Sequence, residues 1–130
     1  MLIRKAKLHD VSSVYLLIGA ATQRGKILKR SLKDIEKAIH HFWVLEHEGK
    51  VVACCAIEIY SKKLAEIRSL AVDARKERKG LASQLLERCI REAKRKKIYE
   101  VLAITDRENV FRRLGFSEQL HGQKALFLRP

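Results

Sequence analysis

The stretch that decides the fold is "LAVDARKERKGLASQLLERCI", residues 70 to 90. It begins with the apolar end of a predicted strand, continues as a short charged loop, and becomes a helical pattern after Gly80. A helix start presents free backbone N–H groups and the positive end of the helix dipole, which together attract anions. Gly80 allows a ligand to approach the main chain, and Arg78 and Lys79 add charge that suits a pyrophosphate. Taken alone, the stretch fits a solvated loop before an ordinary helix equally well.

The helix after Gly80 is predicted from one apolar stripe, and basic residues fill its opposite face. The stripe consists of Leu81, Ala82, Leu85, Leu86, Cys89, Ile90 and Ala93. Before the loop, "LAEIRSLAVD" predicts a strand. Strict alternation along it places Glu66, Arg68, Leu70 and Val72 on one face and Ala65, Ile67, Ser69 and Ala71 on the other.

The rest of the chain supplies further strands and helices. "LIRKA" predicts a strand, and Asp10 after it is a predicted helix cap. Ser31 and Asp34 predict a capping box at the start of a second helix. The stretch "FWVLEHEGKVVACCAIEIY" predicts two strands around a turn at residues 48–50. Downstream, "YEVLAIT" predicts a buried strand, "DRENVFRRLGF" a short helix ended by Gly115, and "KALFL" a closing strand. The order predicts a single α/β domain over residues 1–130, with a mixed, mostly antiparallel central sheet.

Composition restricts the class of protein. The 130 residues are 47% hydrophobic with a single proline, which argues against disorder, and no apolar run is long enough to cross a bilayer. The first residues lack a secretory signal, so we expect a cytoplasmic protein. Cys54, Cys55 and Cys89 show no metal-binding spacing, and we expect reduced core cysteines and no metal site.

The charge balance predicts an anionic partner. Twenty-eight Lys and Arg residues against 15 Asp and Glu give a formal charge of +13, which attracts polyanions. Aromatic residues make up only 6%, and the sequence carries none of the RNA-binding signatures, which argues against direct nucleic-acid binding. A small molecule that carries phosphate groups would exploit the same charge.

The succession of "IRSLAV", "ERKGLA", an amphipathic helix, a strand and "NVFRRLGF" resembles the GCN5-related N-acetyltransferase (GNAT) family along essentially the whole chain. The resemblance implies a fold with helices on both faces of the sheet, and an enzyme that transfers acetyl from its cosubstrate acetyl-CoA to a small-molecule amine. The sequence does not reveal the oligomeric state and leaves a homodimer open. In that family a loop of Arg or Gln, two residues, Gly, one residue, and Gly or Ala binds the pyrophosphate. Gly80 and Ala82 match this loop, whereas Glu77 replaces the Arg or Gln.

The same resemblance implies which residues contact acetyl-CoA. The main chain of the loop would bind the pyrophosphate, and a splayed strand at "SLAV" would pair with pantetheine. The amide of Leu70 would polarise the thioester carbonyl, which makes it the expected oxyanion donor. The expected cofactor-binding residues are Leu70, Ala71, Val72, Arg78, Lys79, Gly80, Leu81, Ala82, Ser83, Asn109 and Phe111.

Glu66 is the expected catalytic base, because the acceptor amine must lose a proton before it can attack. The alternative for this residue is a strand carboxylate paired with a neighbouring Lys or Arg. Many family members carry a Tyr as general acid four residues before the Gly of the final "GF", where this chain has Phe111, so that acid is absent. Tyr60 and Tyr99 are alternative acids that also fit structural roles.

That loss, together with "KILKRSLKDIEKAI" and "FRRLGF", is similar to the acetyltransferase domain of bacterial N-acetylglutamate synthase, an enzyme of arginine synthesis. The similarity implies glutamate as acceptor, with substrate-binding roles for Lys29, Arg30, Ser69 and Lys124. Solvated loop charges are the alternative for Lys29 and Arg30. Two other functions stay open: a GNAT enzyme that acetylates a protein N-terminus or a lysine, and a non-catalytic module that binds coenzyme A or an acidic partner.

Overall fold

The computed structural model describes residues 1–25, 28–77 and 79–130. Short 3-10 turns precede the first α-helix, follow the second, and follow the fourth strand. In this part of the chain the strands and α-helices are β1 (Leu2–Lys5), α1 (Val11–Gln23), α2 (Leu32–Ala38), β2 (Phe42–His47), β3 (Lys50–Ile59), β4 (Leu64–Val72), α3 (Leu81–Arg95), β5 (Glu100–Ala103) and α4 (Glu108–Arg112).

The five strands form one sheet in the order β1-β2-β3-β4-β5. The first four strands run antiparallel to their neighbours, and β5 runs parallel to β4. Between β2 and β3, Glu48 and Gly49 both have positive φ, 52° and 76°, which suits the tight turn of a twisted hairpin. The sheet confirms the predicted mixed, mostly antiparallel architecture.

Helices cover both faces of the sheet, as expected. The core on the α1 and α2 face contains Val14, Ile18, Ile35, Phe42, Val44, Cys54 and Ala56. The core on the α3 face contains Leu45, Cys55, Ile57, Ile67, Leu81, Leu85, Leu86 and Cys89. Burial of each large aliphatic side chain contributes about 1.5–3 kcal/mol, so the apolar stripe of α3 fixes that helix against the sheet.

Trp43 on β2 is the single tryptophan of the chain and packs against the α3 core. Its indole N–H donates to Oε1 of Glu92 on α3 at 2.8 Å. The Nζ atom of Lys5 lies 5.0 Å from the ring centroid, and the guanidinium carbon of Arg88 lies 5.2 Å from it. Two cation–π contacts and one charged hydrogen bond thus join β1, β2 and α3.

The predicted alternation along β4 is wrong beyond Arg68. Between the pairs Cys54 with Ala71 and Ala56 with Arg68, one residue of β3 faces two of β4, so β4 contains a bulge. The bulge includes Ser69, whose φ is +56°. The extra residue reverses the alternation, and Leu70 and Val72 pack in the α3 core with Ala65 and Ile67 instead of sharing the face of Glu66.

Two predicted helix caps behave differently. The Ser31 hydroxyl accepts from the backbone N–H of Asp34 at 3.0 Å, which confirms the Ser31 cap. The Asp34 carboxylate does not complete the capping box, because it accepts from Arg30 at 2.7 Å. Asp10 already has helical dihedrals, and its carboxylate accepts from the Lys7 amide at 2.7 Å instead of from α1. A hydrogen bond from Arg4 holds the pKa of Asp10 below its usual range.

The predicted closing strand "KALFL" is not a strand in this structure. Its side chains at Leu126, Phe127 and Leu128 are 87%, 74% and 86% exposed. Cross-strand pairs and burial of one face stabilise a strand, and neither is present here. The predicted helix stop is confirmed, since Gly115 has φ of +100° just after α4.

Candidate active site

The strands β4 and β5 separate part-way along β4. Their parallel pairing begins at Leu64 with Glu100 and ends at Ile67 with Ala103, the last residue of β5. Among the residues that the structure describes, the stretch 68–72 of β4 therefore has no strand partner on its β5 side. A strand edge of this kind offers backbone N–H and C=O groups to an extended ligand.

The bulge at Ser69 is held from two sides. The Nη1 atom of Arg30 donates to the Ser69 hydroxyl oxygen at 3.0 Å, and the Cys54 thiol approaches the Ser69 carbonyl oxygen at 3.6 Å. Burial raises the pKa of Cys54 to about 12, so its thiol keeps its proton at neutral pH. Cys54 therefore supports the bulge and is poorly suited to act as a nucleophile.

Arg30 is a buried cation, and its side chain is 5% exposed. Besides Ser69, it contacts Asp34 through Nε at 2.7 Å and the Glu58 carboxylate through Nη2 at 3.6 Å. The hydrogen bond from Arg30 lowers the pKa of Asp34. The interpretation of Arg30 as a solvated loop charge is therefore wrong, whereas the neighbouring Lys29 is exposed.

Glu66 belongs to a polar cluster on the same face of the sheet as α1 and α2, at a part of that face that the two helices do not cover. Its Oε1 atom accepts from the Tyr60 hydroxyl at 2.6 Å, and the same hydroxyl lies 3.4 Å from Oε2 of Glu58. Arg68 donates from Nη1 to both carboxylate oxygens of Glu58, at 3.0 and 3.1 Å. Arg68, the neighbouring arginine, thus pairs with Glu58, whereas Glu66 accepts from the Tyr60 hydroxyl.

The loop between β4 and α3 presents the start of a long helix. Gly80 has φ of +75° and no side chain that could accept from the first amides of α3. Lys79 is exposed, and Ala82 and Ser83 are half-buried on the first turn, whereas Arg78 lies outside the described residues. The helix start therefore has the free N–H groups that an anion site requires.

Glu77, the residue that departs from the family loop, forms an ion pair with Arg24 at the end of α1. The Nη2 atom of Arg24 lies 3.5 Å from the Glu77 carboxylate and donates to the Val72 carbonyl oxygen at 3.3 Å. Arg24 thus offsets the negative charge that Glu77 brings to the loop.

Three other predicted site residues lie apart from this cluster. Phe111 is 5% exposed and packs edge-on against Phe116 with ring centroids 5.2 Å apart. Asn109 is exposed on α4, where its backbone carbonyl oxygen accepts from Nε of Arg113 at 3.2 Å. Lys124 lies in the exposed C-terminal stretch. The structure therefore brings together Arg30, Ser69 and the cluster around Glu66, but not these three.

The sequence analysis missed Glu58 and Arg68 as members of the cluster. The alternation of β3 places Glu58 and Tyr60 on one face, and the register sets Glu58 opposite Glu66. The hairpin pattern "EIYSKKLAEIR" contains this signal, because both strands carry polar residues at alternate positions on either side of a short loop. Aligning the two strands of this hairpin by sequence places these polar residues side by side and predicts the cluster.

The described ranges contain no helix that is both long and apolar enough to span a membrane. Within the same ranges, no three His, Cys, Asp or Glu side chains are grouped closely enough to hold a metal ion.

Residues 38–118 match the model of the family described as the acetyltransferase (GNAT) domain. The chain belongs to the GNAT acetyltransferase family. It is an N-acetyltransferase, and its mixed five-stranded sheet with α-helices on both faces is the fold of its GNAT neighbours.

Curated relatives of this GNAT domain include two proteins that are longer than this chain. An "uncharacterized N-acetyltransferase CT2212" of Chlorobaculum tepidum is 36% identical over 116 residues, which cover 89% of this chain and 75% of the relative. An "amino-acid acetyltransferase" of Mycobacterium tuberculosis is 33% identical over 120 residues, which cover 89% of this chain and 68% of the relative.

Two solved structures extend the comparison. Rv2747 of Mycobacterium tuberculosis, in complex with CoA and NLQ, has a TM-score of 0.86 at 29% identity, with 92% of this chain and 74% of that chain covered. N-acetylglutamate synthase of Neisseria gonorrhoeae, complexed with coenzyme A and N-acetyl-glutamate, has a TM-score of 0.83 at 29% identity. The match covers 89% of this GNAT domain but only 28% of the Neisseria chain.

Proposed function

We propose that this GNAT domain transfers the acetyl group of acetyl-CoA to the α-amine of L-glutamate. The observation that carries the proposal is the placement of Arg30, Ser69 and Glu66 beside the open edge of β4. Acetylation of an amino acid needs a cation that binds the acceptor's carboxylate and a base that removes a proton from its amine. Arg30 is a buried cation and Glu66 is a carboxylate, so the pair meets both needs. The similarity to proteins named amino-acid acetyltransferase supports this acceptor, and a cytoplasmic role in arginine biosynthesis goes with it.

Acetyl-CoA would bind along the loop and the open edge. The amides of Lys79 to Ser83 and the dipole of α3 would bind the pyrophosphate, with Arg78 as an added charge. Pantetheine would extend along Leu70 to Val72, where β5 no longer pairs with β4. Phe111 and Asn109 would border this path from α4.

Catalysis would begin when Glu66 removes a proton from the acceptor amine, directly or through one water. The neutral nitrogen then attacks the thioester carbon, and the Leu70 amide stabilises the oxyanion that forms. When the carbon–sulfur bond breaks, the thiolate of coenzyme A leaves and takes up a proton. Phe111 has no proton to donate, so that proton comes from solvent or from another group.

The acceptor's α-carboxylate would bind to Lys29 and Arg30, with Ser69 as a hydrogen-bond donor. Arg30 already holds three oxygen-bearing side chains through its planar guanidinium, so a substrate carboxylate would replace or share the contact to Asp34. Asp34 is the most exposed of these partners, with 53% of its side chain accessible. Lys124 would serve the side-chain carboxylate if the C-terminal stretch folds over the site.

Thiol release from acetyl-CoA tests the function against its rivals. We expect the highest kcat/KM with L-glutamate, a lower value with L-glutamine, which keeps the size but lacks the second charge, and little turnover with glutamate α-amide. Peptides that mimic protein N-termini, and lysine, are the rival acceptors. Highest turnover with a peptide or lysine would contradict the glutamate proposal, and coenzyme A binding without turnover of any amine would identify a binding module.

Gly80→Val is expected to weaken acetyl-CoA binding about tenfold or more. The left-handed φ of Gly80 strains any β-branched residue, and the added side chain blocks main-chain approach. Isothermal calorimetry with acetyl-CoA measures the effect. Gly25→Val is the matched control, since Gly25 has a similar φ of +72° at the end of α1. Unchanged affinity in a folded Gly80→Val protein would show that the loop is not the pyrophosphate site.

A further inference from the structure

The hydrogen bond between Tyr60 and Glu66 gives the candidate base a fixed partner. The donor–acceptor distance of 2.6 Å is typical of a charge-assisted hydrogen bond from a hydroxyl to a carboxylate. Tyr60 follows the last residue of β3, and its backbone N–H donates to the Leu64 carbonyl oxygen at 3.0 Å. The phenol therefore projects from an ordered strand end, although 55% of the residue is exposed.

The charged groups near Glu66 lie on β3, on β4 itself and in the segment before α2. Glu58 on β3 lies opposite Glu66 in the register and carries the same sign of charge. Arg68 on β4 pairs with Glu58, and Arg30 reaches Glu58 from the segment before α2. On the β5 side, the register partner of Glu66 is the apolar Leu102. Tyr60 is therefore the group that donates directly to the Glu66 carboxylate.

We propose that Tyr60 is a positioning residue for Glu66, whose hydroxyl fixes one carboxylate oxygen and leaves the other for the acceptor amine or its water. This inference rests on the proposed role of Glu66 as base.

The geometry distinguishes this role from that of a general acid. The Tyr60 proton is directed at Glu66, which is the group that receives the amine proton and not the one that releases the thiolate. The hydrogen bond to Glu66 raises the pKa of Tyr60 to about 12. The phenol therefore stays a donor across the pH range of an acetyltransferase assay.

Tyr60→Phe tests the inference, because it removes only the hydroxyl. We expect kcat with L-glutamate to fall about threefold to tenfold while the KM for L-glutamate changes less than about twofold, because the hydroxyl orients the base and does not bind the acceptor. Acetyl-CoA affinity and the melting temperature should stay unchanged. Tyr15→Phe is the matched control, since Tyr15 lies on α1, away from the cluster around Glu66, and its loss of a hydroxyl should leave kcat unchanged.

Glu66→Gln, assayed beside Tyr60→Phe, separates two kinds of failure. A Tyr60→Phe variant with the parent's kcat, while Glu66→Gln is nearly inactive, would overturn the role of Tyr60 and leave the base in place. Full activity of Glu66→Gln would overturn both assignments. A loss of kcat in Tyr60→Phe that comes with a higher KM and a lower melting temperature would show that Tyr60 is a packing residue only.

Discussion

Replacing Glu66 with glutamine is expected to lower kcat about a hundredfold at pH 7. An α-amine has a pKa near 8 in peptides, so most acceptor molecules arrive protonated at neutral pH and cannot attack the thioester. Glutamine keeps the length of the side chain and can still accept from Tyr60, but it cannot take up the amine proton. The loss should therefore fall on the chemical step and not on binding.

The pH dependence gives this prediction its sharpest measurement. As the pH rises, free amine accumulates without help from the enzyme, so the deficit of Glu66→Gln should shrink between pH 7 and pH 9.5, while acetyl-CoA affinity stays constant. Glu87→Gln is the matched control, since Glu87 is exposed on α3. Nearly full kcat of Glu66→Gln over the whole range would assign deprotonation to solvent or another group.

Replacing Arg30 with lysine is expected to raise the KM for glutamate about tenfold to a hundredfold. Lysine keeps the positive charge but lacks the planar fork that binds a carboxylate through two parallel hydrogen bonds. Charge-assisted hydrogen bonds of this kind contribute about 1.5–3 kcal/mol, which corresponds to that range of KM. Lys29→Ala should raise the KM in the same direction.

Glutamate α-amide separates substrate binding from structural support. If Arg30 binds the α-carboxylate, the penalty of Arg30→Lys should be large for glutamate and small for the amide. Arg30 also holds Asp34 and the Ser69 bulge, so thermal unfolding must confirm that the variant is folded. Arg91→Lys on the exposed face of α3 is the matched control. Equal penalties for glutamate and its amide would leave Arg30 as a clamp on the bulge.

Much of the fold could be predicted because its signals are local. The apolar stripe of α3, the turn at Glu48 and Gly49, and the stop at Gly115 each depend on residues near in sequence. These patterns predicted the order of strands and helices up to α4, and the resemblance implied helices on both faces. The loop at Gly80 could also be placed, since a strand, a short loop and a long amphipathic helix occur in direct succession.

The features that the sequence analysis missed depend on contacts between distant segments. Alternation could not predict the bulge at Ser69, because the unequal register of β3 and β4 creates it. The burial of Arg30 depends on Ser69, which is 39 residues away in sequence. The predicted closing strand "KALFL" is wrong for a different reason, because a strand-like pattern forms a strand only when it pairs with a neighbouring strand, and this stretch pairs with none in the described structure.

Trp43 is an intrinsic fluorescent probe for the folding of this protein. It is the only indole in the chain, and it lies on the α3 face of the sheet, away from Tyr60 and Glu66. Its emission responds to the nearby Lys5, Arg88 and Glu92, and the two α3 residues, Arg88 and Glu92, leave the ring when α3 detaches. Intrinsic fluorescence thus follows unfolding of each variant with one optical signal, and changes on the opposite face leave the chromophore's surroundings intact.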